Sequence, residues 1–223
     1  MDKKLTILIT CYNKEKYISY ILGQLIDQNC QEIDVYVIDD ASTDNSQSIV
    51  KELVDNIDNF YIHNLETNHG TGYVRNYALS LVKTNYFIFI DADDMLVENY
   101  VSLILEKIDK YPDADIIHFC TRVYPLGGKT VLDFSLWDKV ISKNFLDNNN
   151  ITFNPNLINM EDWNLRSKIN KVKFNEIHCP EVLYIYNLLA EGTITHQDPI
   201  WYNHNLDGIR DECDPNYLDA YNE

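Results

Sequence analysis

Apolar positions in the first half of the chain follow two alternating rhythms. Leu5 to Thr10 is a short β-branched run, apolar on both faces, as a strand buried inside a parallel sheet requires. Ile18, Ile21, Leu22 and Leu25 then share one face of a helix. Val35 to Ile38 predicts a second buried strand, ending abruptly in Asp39-Asp40. Ser42-Thr43-Asp44 offers N-cap side chains for a helix marked by Ile49, Val50, Leu53, Val54 and Ile57. Phe60 to Ile62 predicts a third strand, and Gly70 to Val82 a helix with Val74, Ala78 and Leu81 inward. The strongest strand signal, Tyr86 to Ile90, runs into Asp91-Ala92-Asp93-Asp94. Val97, Val101, Ile104, Leu105 and Ile108 predict a helix that Pro112 stops, and Asp115 to Val123 a further strand. Beyond that point the rhythm weakens. Gly127-Gly128 and Asn148 to Asn150 mark loops, Asp162 to Ile169 a short helix, and Val182 to Tyr186 a strand. Alternating strands and helices predict an α/β fold whose mostly parallel sheet is flanked by helices. No repeat or linker divides the chain, so residues 1–223 are expected to form one domain with halves at 1–110 and 111–223.

Composition narrows the partners. With 45% hydrophobic and 24% charged residues the chain can bury a core, but its formal net charge is −17. That sign gives no footprint for nucleic acid and disfavours anionic membrane surfaces. The N-terminal apolar run is too short for a signal peptide, and none reaches the ~20 residues of a membrane span. The five cysteines contain no C-x-x-C pair and read as reduced thiols rather than a zinc site or disulfide framework. The expectation is a cytoplasmic protein.

Three strands end in polar residues on the edge where open α/β sheets bind ligands: Thr10-Cys11-Tyr12-Asn13, Asp39-Asp40 and Asp91-Ala92-Asp93-Asp94. Carboxylates clustered at one edge repel one another unless protons or a cation intervene. An acidic-x-acidic triplet without Cys or His suits Mg²⁺ or Mn²⁺ bridging to phosphate oxygens. The bland alternative is a solvated turn that caps the next helix.

Ile-Thr-Cys-Tyr-Asn at 9–13, Val-Ile-Asp-Asp-Ala-Ser-Thr-Asp at 37–44, Asn68-x-Gly70 with Val-Arg-Asn at 74–76, and Phe-Ile-Asp-Ala-Asp-Asp at 89–94 occur in the order and spacing of family 2 glycosyltransferases. The chain resembles that family strongly over residues 5 to 110, and more weakly at Met160-Glu161-Asp162 and from Tyr184-x-Tyr186 to Glu191-Gly192-Thr193-Ile194. The resemblance implies a GT-A fold with a Rossmann-like nucleotide-sugar half at 1–110 and an acceptor-side half at 111–223. It implies transfer of a sugar from a nucleotide-diphosphate donor, a UDP-sugar, to an acceptor hydroxyl, with inversion and with Mn²⁺ or Mg²⁺ as cofactor. Thr10 and Tyr12 would line the base pocket, Asp40 bind the base, Arg75 approach the diphosphate, and Asp91 the ribose or a metal-bound water. Asp93 would ligate the metal, with Asp94 or the late His196 as further candidates, and Asp162 would be the general base beside Glu161. The acceptor would be a glycan, lipid-linked or protein-linked, at which the protein could sit peripherally on the inner membrane face. Tyr186-Asn187 departs from the family's frequent Tyr-Arg pair.

Other chemistries fit less of the chain. Gly70-Thr71-Gly72 lacks the third glycine of a dinucleotide fingerprint, having Arg75 there, and does not follow the first strand. Asp91-x-Asp93 also resembles the nucleophile motif of haloacid-dehalogenase-type phosphatases, but that reading leaves the upstream motifs unexplained. A non-catalytic sugar-nucleotide or carbohydrate-binding module on the same scaffold is the remaining alternative.

Overall fold

Each strand expected from 5 to 90 is present, and together they build the parallel half of the sheet. The computed structural model describes residues 2–28, 30–126, 129–130 and 135–191. Strands β1 (Leu5–Cys11), β2 (Ile33–Asp39), β3 (Phe60–Asn64) and β4 (Tyr86–Asp91) alternate with α1 (Ile18–Asp27), α2 (Ser46–Val54) and α3 (Thr71–Leu81). The short strand β5 (Met95–Leu96) precedes α4 (Tyr100–Lys110), β6 (Ile116–Tyr124) and β7 (Lys129–Thr130). Then come β8 (Lys139–Ser142), α5 (Lys143–Asn148), α6 (Glu161–Ile169) and β9 (Glu176–Asn187).

The sheet runs β3-β2-β1-β4-β8-β6-β9-β5, with β7 on β6. β3, β2, β1 and β4 are mutually parallel, β8 is antiparallel to both β4 and β6, and β9 runs parallel to β6. This is the mixed, mostly parallel GT-A architecture. Ile7, Ile9, Val35, Val37, Ile88 and Ile90 turn one face toward α1, α2 and α4, while Leu8, Ile38, Phe87 and Phe89 turn the other toward α3 and α6. Burial on both faces explains why these strands read as unbroken apolar runs.

The second half departs from expectation where burial is polar. β8 was not legible because Lys139, which opens it, reads as surface, yet it is buried against Asp138 at 2.9 Å. β9 begins at Glu176 rather than Val182: Pro180 lacks an N–H for the ladder and falls where the register between β6 and β9 shifts, a position that tolerates proline. Met95 and Leu96, for which the sequence predicts no element, form β5 and pair with Ile185 and Tyr184. Cys11, Cys30 and Cys179 are free, as expected of reduced thiols. Gly127-Gly128 lies outside the described residues.

Gly72 sets the distance between the two halves of the edge. Its N–H donates to Leu157 O at 3.0 Å, and a Cβ there would fall 2.2 Å from Asn154 O and 2.7 Å from Leu157 O. The neighbours are backbone and cannot rotate away. Gly72→Ala is expected to destabilise the protein by about 1–3 kcal/mol, the usual cost of overpacking. Thermal unfolding checks this, and an unchanged melting temperature would mean that residues 154–157 do not press on α3.

Candidate active site

Two loops at the carboxyl edge are laced together by side chains drawn from the sequence motifs. Asn13, in the left-handed region at φ 53°, donates its N–H to Ser42 Oγ, and its Oδ1 accepts the Thr43 N–H at 2.8 Å. Lys14 N–H donates to Ser46 Oγ, and Glu15 N–H to Asp44 Oδ2. Tyr12 is thereby held at the mouth of the site, 44% exposed, and Thr10 lies between Ile38 and Asp91 of the flanking strands.

Asp40 is nearly buried and anchors the next loop. Its Oδ1 accepts the His69 N–H at 2.8 Å and its Oδ2 the Gly70 N–H at 2.9 Å. Gly70 sits at φ +83°, a conformation that favours glycine, and a Cβ there would come 2.8 Å from Ile158 Cγ2. Asp39 takes a different part: its Oδ1 accepts the Ser42 N–H and the Gln47 amide.

The acidic triplet meets its own repulsion in three ways. Asp91 faces Arg75, whose Nη2 lies 3.3 Å from Oδ1; burial raises the Asp91 carboxyl and Arg75 partly offsets this. Asp93 Oδ2 accepts from Lys14 Nζ at 2.7 Å. Among the described residues no cation pairs with Asp94: Oδ1 accepts the Asn187 N–H at 2.7 Å and Oδ2 the Tyr184 hydroxyl at 2.7 Å. Burial first, then the charges of Asp93 and Asp91, push its carboxyl well above the usual range, which favours a proton there. Tyr184 Oη also accepts the Asp91 N–H, so Asp94 clamps the β4–β5 turn to β9. Both oxygens of Asp94, the further metal-ligand candidate, thus already accept a hydrogen bond from within the fold. Asn187, which replaces the family's frequent arginine, completes the clamp by donating its amide to Asp93 O.

Arg75 joins this edge to the second half. It is 4% exposed, its guanidinium lies over Phe89 and Phe153, and its Nη1 lies 2.7 Å from Glu161 Oε1. The contact is an ion pair without good hydrogen-bond direction, since neither Nη1 nor Nε has a hydrogen-bond partner among the described residues. Asn76 beside it grips Phe153 twice, accepting the N–H at 2.9 Å and donating to the carbonyl at 3.0 Å. Arg75 is thus built among the carboxylates of Asp91 and Glu161.

Glu161 and Asp162 open α6, where the positive end of the helix dipole favours anions. Met160 precedes them in the left-handed region at φ 56°. Burial pushes the Asp162 carboxyl up to about 6, Arg75 and the Trp163 N–H opposing and Glu161 and Asp91 adding to the rise. A carboxyl in that range is suited to taking a proton near neutral pH. Asp91, Glu161 and Asp162 thus gather around Arg75, with Asp93 acting on Asp91, although 70 residues separate Asp91 from Glu161 in a chain read only by motifs. Lys14 was missed by sequence reasoning; its signal is a lone cation directly after Tyr12-Asn13. His196 lies outside the described residues.

Residues 6–169 match the sequence family described as glycosyl transferase family 2. A teichoic acid poly(glycerol phosphate) polymerase of Staphylococcus epidermidis is 38% identical over 107 residues, 48% of this chain and 15% of that protein. A processive diacylglycerol beta-glycosyltransferase of Mycoplasma genitalium is 28% identical over 212 residues, 91% of this chain and 58% of that protein. The crystal structure of S. aureus TarS 1-349 in complex with UDP-GlcNAc superposes with a TM-score of 0.76 at 24% identity, over 87% of this chain and 61% of that one, and has the same fold. The chain spans less than two thirds of the length of each of these proteins.

Proposed function

The chain belongs to glycosyl transferase family 2, and from that premise we propose that it transfers a sugar from a UDP-sugar, with N-acetylglucosamine as the first candidate, to a glycan hydroxyl. The observation that carries this reading is the convergence of Asp91, Asp93, Arg75, Glu161 and Asp162 on the edge where β1, β2 and β4 end. The donor's ligand in the TarS complex supports the choice of UDP-GlcNAc. The base would lie between Tyr12 and the Asp40 loop, where each Asp40 oxygen keeps a second lone pair for an imide N–H. Thr10 would border the ribose beside Asp91. No helix among the described residues is long and apolar enough to cross a membrane.

The donors around Asp93 fit a hard divalent cation, Mn²⁺ or Mg²⁺. They are carboxylate oxygens, and a cation, Lys14 Nζ, already rests on Asp93. Among the described residues the triplet is not assembled into a three-ligand set. A magnesium-like ion bound by one or two carboxylates and completed by substrate phosphates matches this sparse provision. When bound, such an ion neutralises the charge gathered on the leaving diphosphate.

The protein's own residues supply the rest. Asp162 takes the proton from the acceptor hydroxyl as that oxygen attacks the anomeric carbon, and inversion follows from a single displacement. Arg75 is a positioning residue, fixing Asp91 and Glu161 relative to one another.

A thermal-shift series of nucleotide sugars with and without Mn²⁺ tests the reading. UDP-GlcNAc at about 100 times its dissociation constant should stabilise by about 2.7 kcal/mol, or about 5–10 °C, only with the metal present. Equal shifts without metal would remove the cation from the mechanism. A shift without UDP release on adding acceptor glycan would favour the binding module.

A further inference from the structure

A second polar cluster lies away from the strand ends, on the face of β6 and β9 that α6 covers. His118 and His178 stand opposite each other on adjacent parallel strands, ring centroids 5.0 Å apart, and Glu176 precedes His178 by two residues on the same face. One ligand atom from each of the three lies within 4.8 Å of the others, and among the described residues no other group of three His, Cys, Asp or Glu side chains does this.

The second observation is an unmet bonding capacity. His118 is 1% exposed, yet among the described residues neither ring nitrogen makes a directed hydrogen bond, and Glu176 Oε1 is likewise buried without one. His118 Nδ1 lies 3.2 Å from Glu176 Oε1, and Nε2 lies 3.7 Å from Asp138 Oδ2. Buried polar groups are rarely left in that state without a ligand or a role. Arg166 of α6 occupies the other Glu176 oxygen at 2.7 Å, which leaves Oε1 as the one turned to the imidazole.

We propose that His118, Glu176 and His178 bind a borderline divalent transition-metal ion of the Zn²⁺ class at a site distinct from the oxygen-only carboxylates of the strand edge. Two imidazoles and one carboxylate form a ligand set that such ions favour over Mg²⁺ or Ca²⁺, with a fourth position for water. Asp138 stands where a carboxylate would receive the Nε2–H of His118, fixing the tautomer whose bare Nδ1 faces the ion. Ligand atoms around zinc are about 3.3–3.5 Å apart for bonds of about 2.1 Å, so the side chains need to close by roughly an ångström. The half-buried Glu176 and His178 provide the entrance. The ion would join β6 to β9 beneath α6, the helix that carries Asp162.

Chelator-stripped full-length protein titrated with Co²⁺ alone provides the test. One equivalent should bind with the visible d–d absorption of a nitrogen-ligated, four- or five-coordinate ion, and Zn²⁺ should displace it while Mg²⁺ does not. His178→Gln should weaken Co²⁺ binding by about 100-fold or more and remove the bands. Asp93→Asn should leave both intact, which separates this site from the proposed donor site. His118→Gln is the second ligand variant; if its burial prevents folding, His178→Gln, whose side chain is less buried, still decides. Absence of the bands in the wild type, or bands unchanged in His178→Gln, would overturn the proposal and leave His118 as a buried ring between the carboxylates of Asp138 and Glu176.

Discussion

Asp93→Asn should reduce sugar transfer by about 10²–10³-fold or more, and should abolish the Mn²⁺-dependent stabilisation by UDP-GlcNAc together with it. Asparagine preserves shape and one oxygen but removes the charge. Asp93 is suited to hold a cation because its two neighbours are already engaged: Arg75 faces Asp91, and Asp94 is bound to Tyr184 and the Asn187 N–H. In the substituted protein Lys14 would lose its partner at 2.7 Å, in a partly buried setting where an orphaned charge is destabilising. The double variant Asp93→Asn with Lys14→Met removes that orphan. If it recovers thermal stability without recovering either the Mn²⁺ response or transfer, the loss belongs to the metal-binding carboxylate and not to folding. A Mn²⁺ response that survives in both variants would assign the ion to other ligands.

How much of this could be seen beforehand depends on the range of the interactions. Strands such as Tyr86–Asp91 and helices such as Tyr100–Lys110 were legible because burial on one or both faces imposes a period on the sequence itself. The carboxyl edge was legible for the same reason: each buried strand must end, and polar residues begin where it does. Polar groups satisfied only in three dimensions left no such trace. Lys139 opens a buried strand through its pairing with Asp138, and Asp94 differs from Asp93 because Tyr184 and Asn187 arrive from 90 and 93 positions away. Arg75 was legible as a cation near the site, but its burial between Asp91 and Glu161 requires α3 and α6 to be packed together. Sequence motifs therefore located the edge, and long-range packing determined which carboxylate on it is available.

Asp162→Asn should lower transfer by about 10²–10⁴-fold while leaving the donor- and Mn²⁺-dependent thermal shift in place, since the substitution removes a proton acceptor and no phosphate contact. The wild-type enzyme should show a matching pH limb. Asp162 must be ionised to act, and burial, with Glu161 and Asp91 adding and Arg75 opposing, places its carboxyl at about 6. The rate should therefore fall as pH drops through about 6, and the residual activity of the variant should lack that limb. Stability should move the other way. A carboxyl whose folded value is raised binds more protons folded than unfolded between the ordinary carboxylate range and about 6, so its ionisation opposes folding and stability declines as pH rises through that window. At pH 7 to 8 the variant should be more stable than the wild type, on the order of 1–2 kcal/mol after allowing for partial exposure. Glu161→Gln makes the contrast: it is paired with Arg75 at 2.7 Å, and neutralising it should destabilise. A pair of adjacent acids in which one substitution stabilises but inactivates and the other destabilises is the signature of a general base seated beside a structural anion. Near-wild-type transfer by Asp162→Asn, or a pH limb that persists in it, would move the base to another residue.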